Sequence, residues 1–170
     1  DTPFIRMAKE AAARIATRFE DGLSRGEVSE SDLFDRQYQP VTGSDPQQYM
    51  ARCTSFCDRV LPEVQEETLT RSGRVVFCVA VDENGYLPTH NRAFSQPQGR
   101  DPVWNAANCR NRRIFNDRVG LAAGKNVKPF LLQTYRRDMG GGKFALMKDV
   151  SAPIMVRGRH WGGLRIAYKV

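Results

Sequence analysis

Residues Pro129–Val170 read PFLLQTYRRDMGGGKFALMKDVSAPIMVRGRHWGGLRIAYKV. Three runs in this segment are rich in β-branched, aromatic and other apolar residues, a composition typical of strands. The runs lie near 130–138, 143–156 and 161–170. Turn-forming residues separate them, at Gly140–Gly142 and at Arg157–Arg159. The segment therefore predicts an antiparallel meander of three strands, on which Trp161 and Tyr168 are well placed to pack.

A second strand pair is predicted upstream. Arg74–Asp82 (RVVFCVAVD) is strongly β-branched, and Asn84-Gly85 is a hairpin signal. Tyr86–Asn91 would return antiparallel, with Pro88 tolerated at an edge or a bulge. Residues 92–128 form a polar and basic linker, predicted to contain a short helix around 104–115. Five antiparallel strands in one sheet are thus expected.

The N-terminal residues predict a long helix. Asp1 or Thr2 can cap it, Pro3 suits its first turn, and Gly22 and Gly26 mark its end. Its apolar residues recur at helical spacing. They are Phe4, Ala8, Ala12, Ile15, Phe19 and Leu23. The same spacing fits a coiled-coil seam, so this face could pack on its own domain or on a second copy.

A second helix is predicted before the first strand. Ser29–Tyr38 reads as a short helix or turn, and Ser44 and Gln47 stand in capping-box register. A helix from there would continue to Gly73, kinked or restarted at Pro62. We therefore expect a helical segment over residues 1–72 and a sheet-bearing core over residues 73–170.

Composition and charge limit the classes of function. The 170 residues carry a net charge of +7. Residues 1–70 hold 8 Lys and Arg against 13 Asp and Glu, a net −5, whereas residues 71–170 hold 18 against 6, a net +12. The arginines of the basic half are scattered rather than lined along one helix. Nucleic-acid binding is therefore not expected, and a solvated surface or a pocket for an anionic small ligand fits better.

Motifs for catalysis or membrane spanning do not occur in the sequence. It contains no GxSxG, HExxH, P-loop or EF-hand pattern, and no apolar run of about 18 residues. The GGG at 140–142 opens a strand rather than a helix, which indicates a turn and not a phosphate cradle. We do not expect an enzyme or a metal site.

Four cysteines form an even set, and sequence alone cannot choose among their three full pairings. They are Cys53, Cys57, Cys78 and Cys109. Two of them, Cys53 and Cys57, fall on one face of the predicted second helix. They could be small core residues, or this helix could form a disulfide with Cys109 in an oxidising compartment.

Several segments resemble the sensory region of bacterial methyl-accepting chemotaxis proteins. They include GYLPTHN at 85–91, RRIFNDRVG at 112–120, LLQTYRRD at 131–138 and GRHWGGLRI at 158–166. LFDRQYQP and LPEVQEE extend the resemblance upstream, so that it covers roughly Leu33–Val170. The resemblance implies an α+β fold of the PAS-like, single Cache type, with a five-stranded antiparallel sheet behind long N-terminal helices.

The resemblance also implies a role. Similar regions lie in the periplasm between two membrane helices of an inner-membrane protein. They sense a small molecule or a redox condition and signal to a cytoplasmic domain that controls a histidine kinase. We expect this chain to be such a fragment, with membrane segments in its flanks and a homodimer through its N-terminal helix in the full receptor.

Ten residues are candidates for contact with a small-molecule ligand. Arginines can clamp a carboxylate or phosphate, aromatic rings can form an apolar wall, and Asp149 can receive an amine. An equal expectation is that Asp149 pairs with Arg137 across the meander, and that one or two of Arg110, Arg112 and Arg113 pair with Asp117 or Asp138. The ten are Tyr86, His90, Asn91, Phe94, Arg110, Arg113, Tyr135, Arg137, Asp149 and Trp161.

A haem- or redox-sensing variant of the same fold is the alternative. Some relatives are said to carry covalent haem, but this chain lacks the CxxCH that attachment needs. Non-covalent haem would use His90 as its axial ligand, or the cysteines would cycle between thiol and disulfide. The other histidine, His160, lies in a predicted turn and fits a structural or surface role.

Overall fold

The computed structural model describes the side chains of residues 1–138 and 141–170. Gly140, the first residue of the predicted GGG turn, lies outside that set. The helices are α1 Thr2–Ser24, α2 Glu30–Leu33, α3 Thr54–Leu69, a 3-10 turn Arg92–Phe94, α4 Pro102–Asn108 and α5 Arg118–Lys125. The strands are β1 Gln39–Pro40, β2 Tyr49–Met50, β3 Val75–Asp82, β4 Tyr86–Leu87, β5 Arg113–Ile114, β6 Leu131–Gly140, β7 Lys143–Val156 and β8 Arg159–Lys169.

The fold is α+β, built on a four-stranded antiparallel sheet in the order β3-β8-β7-β6. The predicted meander is confirmed as β6, β7 and β8. Its second turn has positive φ at Arg157 (52°) and Gly158 (75°), and Gly141 and Gly142 have positive φ in the first. Glycine adopts this conformation without steric cost, which is why the turn residues located the strand ends correctly.

The expectation of five strands in one sheet is wrong. After the Asn84-Gly85 turn, β4 pairs with β5 of the linker instead of returning along β3. The buried carboxylate of Asp82 ends β3 by accepting hydrogen bonds from the backbone N–H groups of Asn84 (2.9 Å) and Tyr86 (3.0 Å). These bonds form the turn that ends β3.

Side-chain amides replace the missing strand at the edge of β3. The N–H of Cys78 donates to Asn91 Oδ1 (2.9 Å), and the N–H of Ala80 donates to Gln65 Oε1 (2.9 Å). Buried backbone donors need partners, and these two amides supply them. The segment after β4 thus lies beside β3 without forming a ladder.

Helix α1 confirms the predicted apolar stripe and shows where it packs. Phe4, Ala8, Ala12, Ile15 and Phe19 are buried, and the helix lies across β7 and β8 of its own chain. Burying these side chains against the sheet is favourable by roughly 25 cal/mol per Å² of apolar surface. Of the two expected alternatives, packing on its own domain or on a second copy, the apolar stripe of α1 therefore shows the first.

Asp1 is the N-cap residue of α1, one of the two expected positions, but its side chain makes no capping hydrogen bond. The carboxylate of Asp1 accepts hydrogen bonds from Tyr168 Oη (2.7 Å) and Lys148 Nζ (3.0 Å). Phe4 stacks on the ring of Tyr168 with ring centroids 3.9 Å apart. The start of α1 is thereby joined to the end of β8.

Helix α3 begins later than the sequence predicts. It starts at Thr54, about ten residues after the capping-box register at Ser44, and it continues through Pro62 without a break. The Ser44 hydroxyl instead accepts the N–H of Gln48 (2.8 Å) in the turn between β1 and β2. A serine side chain can hydrogen-bond to nearby backbone in turns as well as in helix caps. The serine that was predicted to cap the helix therefore stabilises a turn instead.

The two faces of the sheet carry different layers. Helices α1 and α3 cover one face with the larger apolar core. The linker covers the other face, where a smaller hydrophobic cluster includes Phe77, Val79, Leu87 and Met147. Helix α5 approaches β8 closely because Gly163 has no Cβ. A Cβ at this position would lie 2.5 Å from the carbonyl oxygen of Ala123.

In the described part of the chain, no helix is both long and apolar enough to cross a bilayer.

Candidate functional site

A small cavity lies between the second face of the sheet and the linker that covers it. Its volume is about 80 Å³. The sheet and the linker both contribute side chains, and most of these are charged or aromatic. The lining residues are Phe77, Leu87, His90, Arg110, Phe115, Asp117, Tyr135, Arg137 and Arg165.

Strand alternation sets the sheet side of the cavity. Tyr135 and Arg137 are two residues apart on β6 and therefore point to the same face. Phe77 of β3 and Arg165 of β8 lie on the same face, on the two strands at the other end of the sheet from β6. Tyr135, Arg137 and Arg165 thus project from one face of the sheet, whose opposite face carries the larger apolar core.

Two arginines of the linker are anchored at the end of α4. Arg110 Nη1 donates to the carbonyl oxygen of Ala106 (3.1 Å), and Arg113 Nη1 donates to the same oxygen (3.3 Å). Both guanidiniums lie over the ring of Phe115, at 5.3 Å and 4.7 Å from its centroid. Carbonyl groups at a helix C-terminus attract cations, so α4 holds these side chains at the cavity.

The arginines of the cavity wall are poorly compensated. Within the described residues, Arg110 Nε and Arg137 Nη1 are buried without a hydrogen-bond partner. Burial, reinforced by Arg137 and Arg113, lowers the pKa of Arg110 to about 10. Burial likewise lowers the pKa of Arg137 and of Arg113. Buried cations without partners are costly, and such a cluster marks a candidate functional site.

Arg165 differs from its neighbours because it has a buried partner. Its Nε and Nη2 both lie 2.9 Å from Oδ2 of Asp149, which is fully buried. Burial raises the pKa of Asp149, and the Arg165 guanidinium opposes that rise. Asp149 is thus paired with Arg165 through Oδ2 instead of being a free charge for a ligand amine, whereas its Oδ1 is buried without a hydrogen-bond partner among the described residues.

The expected pairing of Asp149 with Arg137 is also wrong. On β7, the residue opposite Arg137 is Ala145, whereas Gln133 lies opposite Asp149. The two charged residues are therefore separated by two rungs of the same face. Only the strand register, which the sequence does not reveal, decides this pairing.

His90 lies in the cavity wall as a neutral ring. Its Nδ1 accepts the N–H of Asn91 (2.8 Å), which leaves the proton on Nε2. Burial, followed by the fields of Arg110 and Arg137, lowers its pKa well below the usual value. The ring packs edge-on against Phe77 and Phe94, with centroids 5.5 Å and 5.1 Å away.

Six of the ten predicted contact residues come together at this cavity. His90, Arg110, Tyr135 and Arg137 line it. Phe94 contacts its wall through His90 and lies 5.4 Å below the guanidinium of Arg137. Arg113 packs on Phe115, which lines it.

The other predicted residues have structural roles. Asn91 holds the edge of β3 and also donates to Glu66 Oε2 (2.8 Å). Tyr86 is buried on the helix side, with its hydroxyl hydrogen-bonded to Thr54 Oγ1 and to the carbonyl of Tyr49, both at 2.8 Å. The apolar-wall interpretation of Tyr86 is therefore wrong.

Trp161 also lies on the helix side of the sheet. It is fully buried against Phe19, and its Nε1 donates to the carbonyl oxygen of Leu33 (2.9 Å). The ring contributes to the main core and not to the cavity. The sequence showed its strand but not the face to which it points.

Arg112 ties the linker to α3. Its guanidinium binds both carboxylate oxygens of Asp58, at 2.7 Å and 2.9 Å, and donates to the carbonyl of Pro88. An ion pair that anchors the linker was expected here, but with Asp117 or Asp138. The positive φ of Arg112 (67°) turns its side chain away from the cavity.

Sequence reasoning missed five lining residues: Phe77, Leu87, Phe115, Asp117 and Arg165. Of these five, Arg165 could have been recognised as a site residue from the sequence. Arg165 interrupts an otherwise apolar strand between Leu164 and Ile166, and charged residues within a buried strand need a partner or a ligand. The remaining four belong to patterns that core residues and helix caps share.

The four cysteines are buried free thiols. Cys57 contacts Cys53, and this contact together with burial raises the pKa of Cys57 well above its usual value. Burial raises the pKa of Cys78 to about 12. Thiols of this kind are poor nucleophiles near neutral pH.

We expect thiol titration to follow from this burial. In the native protein prepared without reductant, the four thiols react slowly with a disulfide reagent such as DTNB. In denaturant all four react at once, because unfolding restores access and ordinary pKa values. Fewer than four thiols per denatured chain would show a disulfide and revive the redox-sensing alternative.

The cavity is small for a cofactor. Its 80 Å³ compare with the roughly 300–1,000 Å³ of pockets that hold drug-sized ligands. The wall around His90 is therefore too tight for a porphyrin without rearrangement of the linker. Among the residues that the structure describes, no group of three or more His, Cys, Asp or Glu side chains is arranged to hold a metal ion.

No protein-family model matches the chain, and no curated protein matches it either.

Proposed function

We propose that this chain is the extracytoplasmic, ligand-binding sensor domain of a transmembrane chemoreceptor, of the PAS-like, single Cache type. In this proposal it lies in the periplasm, between membrane segments of an inner-membrane protein. It reports small-molecule binding to a cytoplasmic domain that controls a kinase. The observation that carries the proposal is the charged cavity between sheet and linker, on the face opposite α1.

The segments that resemble chemoreceptor sensory regions all contribute to that cavity. GYLPTHN supplies Leu87 and His90, RRIFNDRVG supplies Phe115 and Asp117, LLQTYRRD supplies Tyr135 and Arg137, and GRHWGGLRI supplies Arg165. Core packing alone would not require the four segments to share one cavity. Their meeting there supports a role in binding rather than in stability only.

The layering of the fold supports the PAS-like assignment. The main sheet has the order β3, β8, β7, β6, with a helical linker over one face, and the segment that follows β4 lies beside the edge of β3 through Asn91. Four strands with a further segment beside their edge are compatible with the expected arrangement, although that segment forms no ladder with β3. The long α1 covers the opposite face.

Strand β8 offers a route from the cavity to the termini. Arg165 lies in the cavity wall, and Tyr168, three residues later, contacts Phe4 and Asp1 of α1. A ligand that favours one arrangement of the linker and β8 would bias the position of α1 relative to the end of β8. It can do so only by its difference in affinity for the two arrangements.

In the full receptor we infer a homodimer through the N-terminal helix. The apolar stripe of α1 is occupied by its own sheet, so the contact would use the outward face of that helix. Residues Arg6, Lys9 and Ala13 on that face are exposed. This contact is separate from the cavity.

A hybrid receptor tests the proposed function. The chain would replace the sensory domain of a chemoreceptor of known output, and kinase activity would be measured while small carboxylates, amines and nucleobases are added. We expect a saturable change in kinase activity with at least one class. A hybrid whose kinase is active but does not respond to any compound that binds the purified chain would overturn the sensor assignment.

A further inference from the structure

We propose that the tip of the β6–β7 hairpin docks on the surface of an anionic phospholipid bilayer. The hairpin tip comprises residues 136–138 of β6, the turn at Gly141-Gly142 and residues 143–146 of β7. This inference rests on the proposed sensor function, in which membrane segments on both flanks bring this end of the sheet to the bilayer. It goes beyond that function by giving the folded domain a lipid contact of its own.

The hairpin extends past the other two strands of the sheet. The last residue of β8, Lys169, pairs with Met147, and the first residue of β3, Val75, pairs with Tyr168. Strands β6 and β7 continue to pair with each other over residues 143–146 of β7. At about 3.3 Å per residue, these four residues carry the tip roughly 13 Å beyond the end of β8.

Helix α1 begins at the same end of the sheet. The carboxylate of Asp1 accepts hydrogen bonds from Lys148 Nζ (3.0 Å) and Tyr168 Oη (2.7 Å). The helix then runs toward the opposite end of β7, where Glu20 Oε1 accepts the N–H of Arg157 (2.9 Å). In the proposed receptor, the segments that connect α1 and β8 to the membrane would therefore both pass beside the hairpin tip.

One face of the tip exposes apolar side chains. Phe144 and Leu146 are two residues apart on β7 and therefore point to the same face, the face that α1 covers from Lys148 onward. Phe144 is 54% exposed and Leu146 is 55% exposed. The guanidinium of Arg136 lies 4.7 Å from the ring centroid of Phe144. Apolar side chains bordered by cations are typical of a surface that enters the headgroup region of a bilayer.

Cations are concentrated around these two side chains. Arg136 and Lys143 are exposed on the hairpin tip itself. Lys169 and Arg74 are exposed at the adjoining ends of β8 and β3, where Arg74 Nη2 donates to the carbonyl oxygen of Lys169 (2.9 Å). These four side chains border the apolar face and lie on strands that end beside one another.

The acidic side chains of this end do not cancel that charge. Asp1 forms an ion pair with Lys148 at 3.0 Å, so this pair adds no net charge. Asp138 contributes one carboxylate to the tip, against the four exposed cations. Each Lys or Arg close to an anionic bilayer strengthens binding by roughly fivefold. Charge complementarity therefore favours anionic phospholipid as the partner of this surface.

Flotation of the purified chain with lipid vesicles tests the proposal. Vesicles of phosphatidylglycerol and phosphatidylcholine in equal parts are compared, at low salt, with vesicles of phosphatidylcholine alone. The variant is Leu146→Ser, and Met155→Ser is its matched control, because Met155 is 41% exposed near the other end of the same strand. Thermal melts followed by circular dichroism check that both variants are folded.

We expect the wild-type chain and Met155→Ser to float with the anionic vesicles and not with the neutral ones. Leu146→Ser should weaken binding by about tenfold, because it removes apolar surface that the bilayer would bury. Lys143→Gln should weaken it by about fivefold. Binding should also fall as the salt concentration rises.

A tryptophan placed at the tip gives a readout that does not depend on affinity alone. In anionic vesicles, the additional emission of Phe144→Trp should shift to the blue and be quenched by brominated lipids. The emission of Met155→Trp should show neither effect, because its side chain lies at the far end of β7.

Absence of flotation with anionic vesicles, or equal flotation with neutral ones, would overturn the inference. Quenching of Met155→Trp as strong as that of Phe144→Trp would do the same. Self-association that Leu146→Ser abolishes, without vesicle binding, would assign the surface to a second copy instead. If the chain fails to bind vesicles but the hybrid receptor responds to ligand, only this inference is lost. Vesicle binding together with a silent hybrid receptor would overturn the sensor function and support the lipid contact.

Discussion

Replacing Asp149 by asparagine is expected to lower the free energy of unfolding by about 3–5 kcal/mol, the usual cost of breaking a buried ion pair from one side. The carboxylate is fully buried, and its Oδ2 accepts from two nitrogens of Arg165, each at 2.9 Å. The amide retains the shape but not the charge. Arg165 would then be a further uncompensated cation beside Arg110 and Arg137.

Urea denaturation followed by circular dichroism measures this loss, as a lower midpoint with an unchanged slope. Ser151→Ala is the matched control, since Ser151 lies two residues along the same face of β7. Its buried hydroxyl has no hydrogen-bond partner within the described part of the chain, so the alanine variant should be neutral or slightly more stable. A cost below about 1 kcal/mol for Asp149→Asn would contradict the role assigned to the pair.

Replacing Trp161 by alanine is expected to cost about 3–5 kcal/mol, the range for removal of a large aromatic side chain from a core. The ring is fully buried on the helix side of the sheet, where it meets Phe19 at a centroid distance of 5.1 Å. Its Nε1 donates to the carbonyl of Leu33, which the substitution leaves without that donor. For a chain of this length, each 1 kcal/mol lowers the melting midpoint by roughly 2–4 °C.

Trp161→Phe separates stability from binding. It keeps most of the apolar contact and removes the hydrogen bond to Leu33, at an expected cost of about 1–3 kcal/mol. Because the ring and the cavity are on opposite faces of the sheet, the ligand response of the hybrid receptor should remain that of the wild type. A Trp161→Phe variant of wild-type stability that abolishes this response would place the ring in the ligand site and contradict this account.

The candidate site was partly predictable. His90, Arg110, Tyr135 and Arg137 could be named because ligand chemistry singles out arginines, histidines and tyrosines in a basic linker and its adjoining strand. Trp161 was misassigned because strand periodicity shows that neighbouring residues point to opposite faces but not which face carries the linker. Asp149 does lie on the linker face, but the strand register, which the sequence does not reveal, brings it to Arg165 rather than to Arg137.

The meander and the long helix could both be predicted from the sequence alone. Both depend on local signals: glycine and arginine turns between β-rich runs, and apolar residues spaced from Phe4 to Phe19 along one helical face. Such signals need no information from distant residues, and for that reason they were read correctly.

The partners of these elements depend on contacts that are made only in the folded protein. The pairing of β4 with β5 and the ion pair of Asp149 with Arg165 each join segments that are distant in sequence or depend on strand register. No periodic pattern encodes such choices, because they are settled by which buried donors, acceptors and charges find partners when the layers come together. Arg110 Nε and Arg137 Nη1, which have no acceptor among the described residues, are the groups that found no partner when the layers packed.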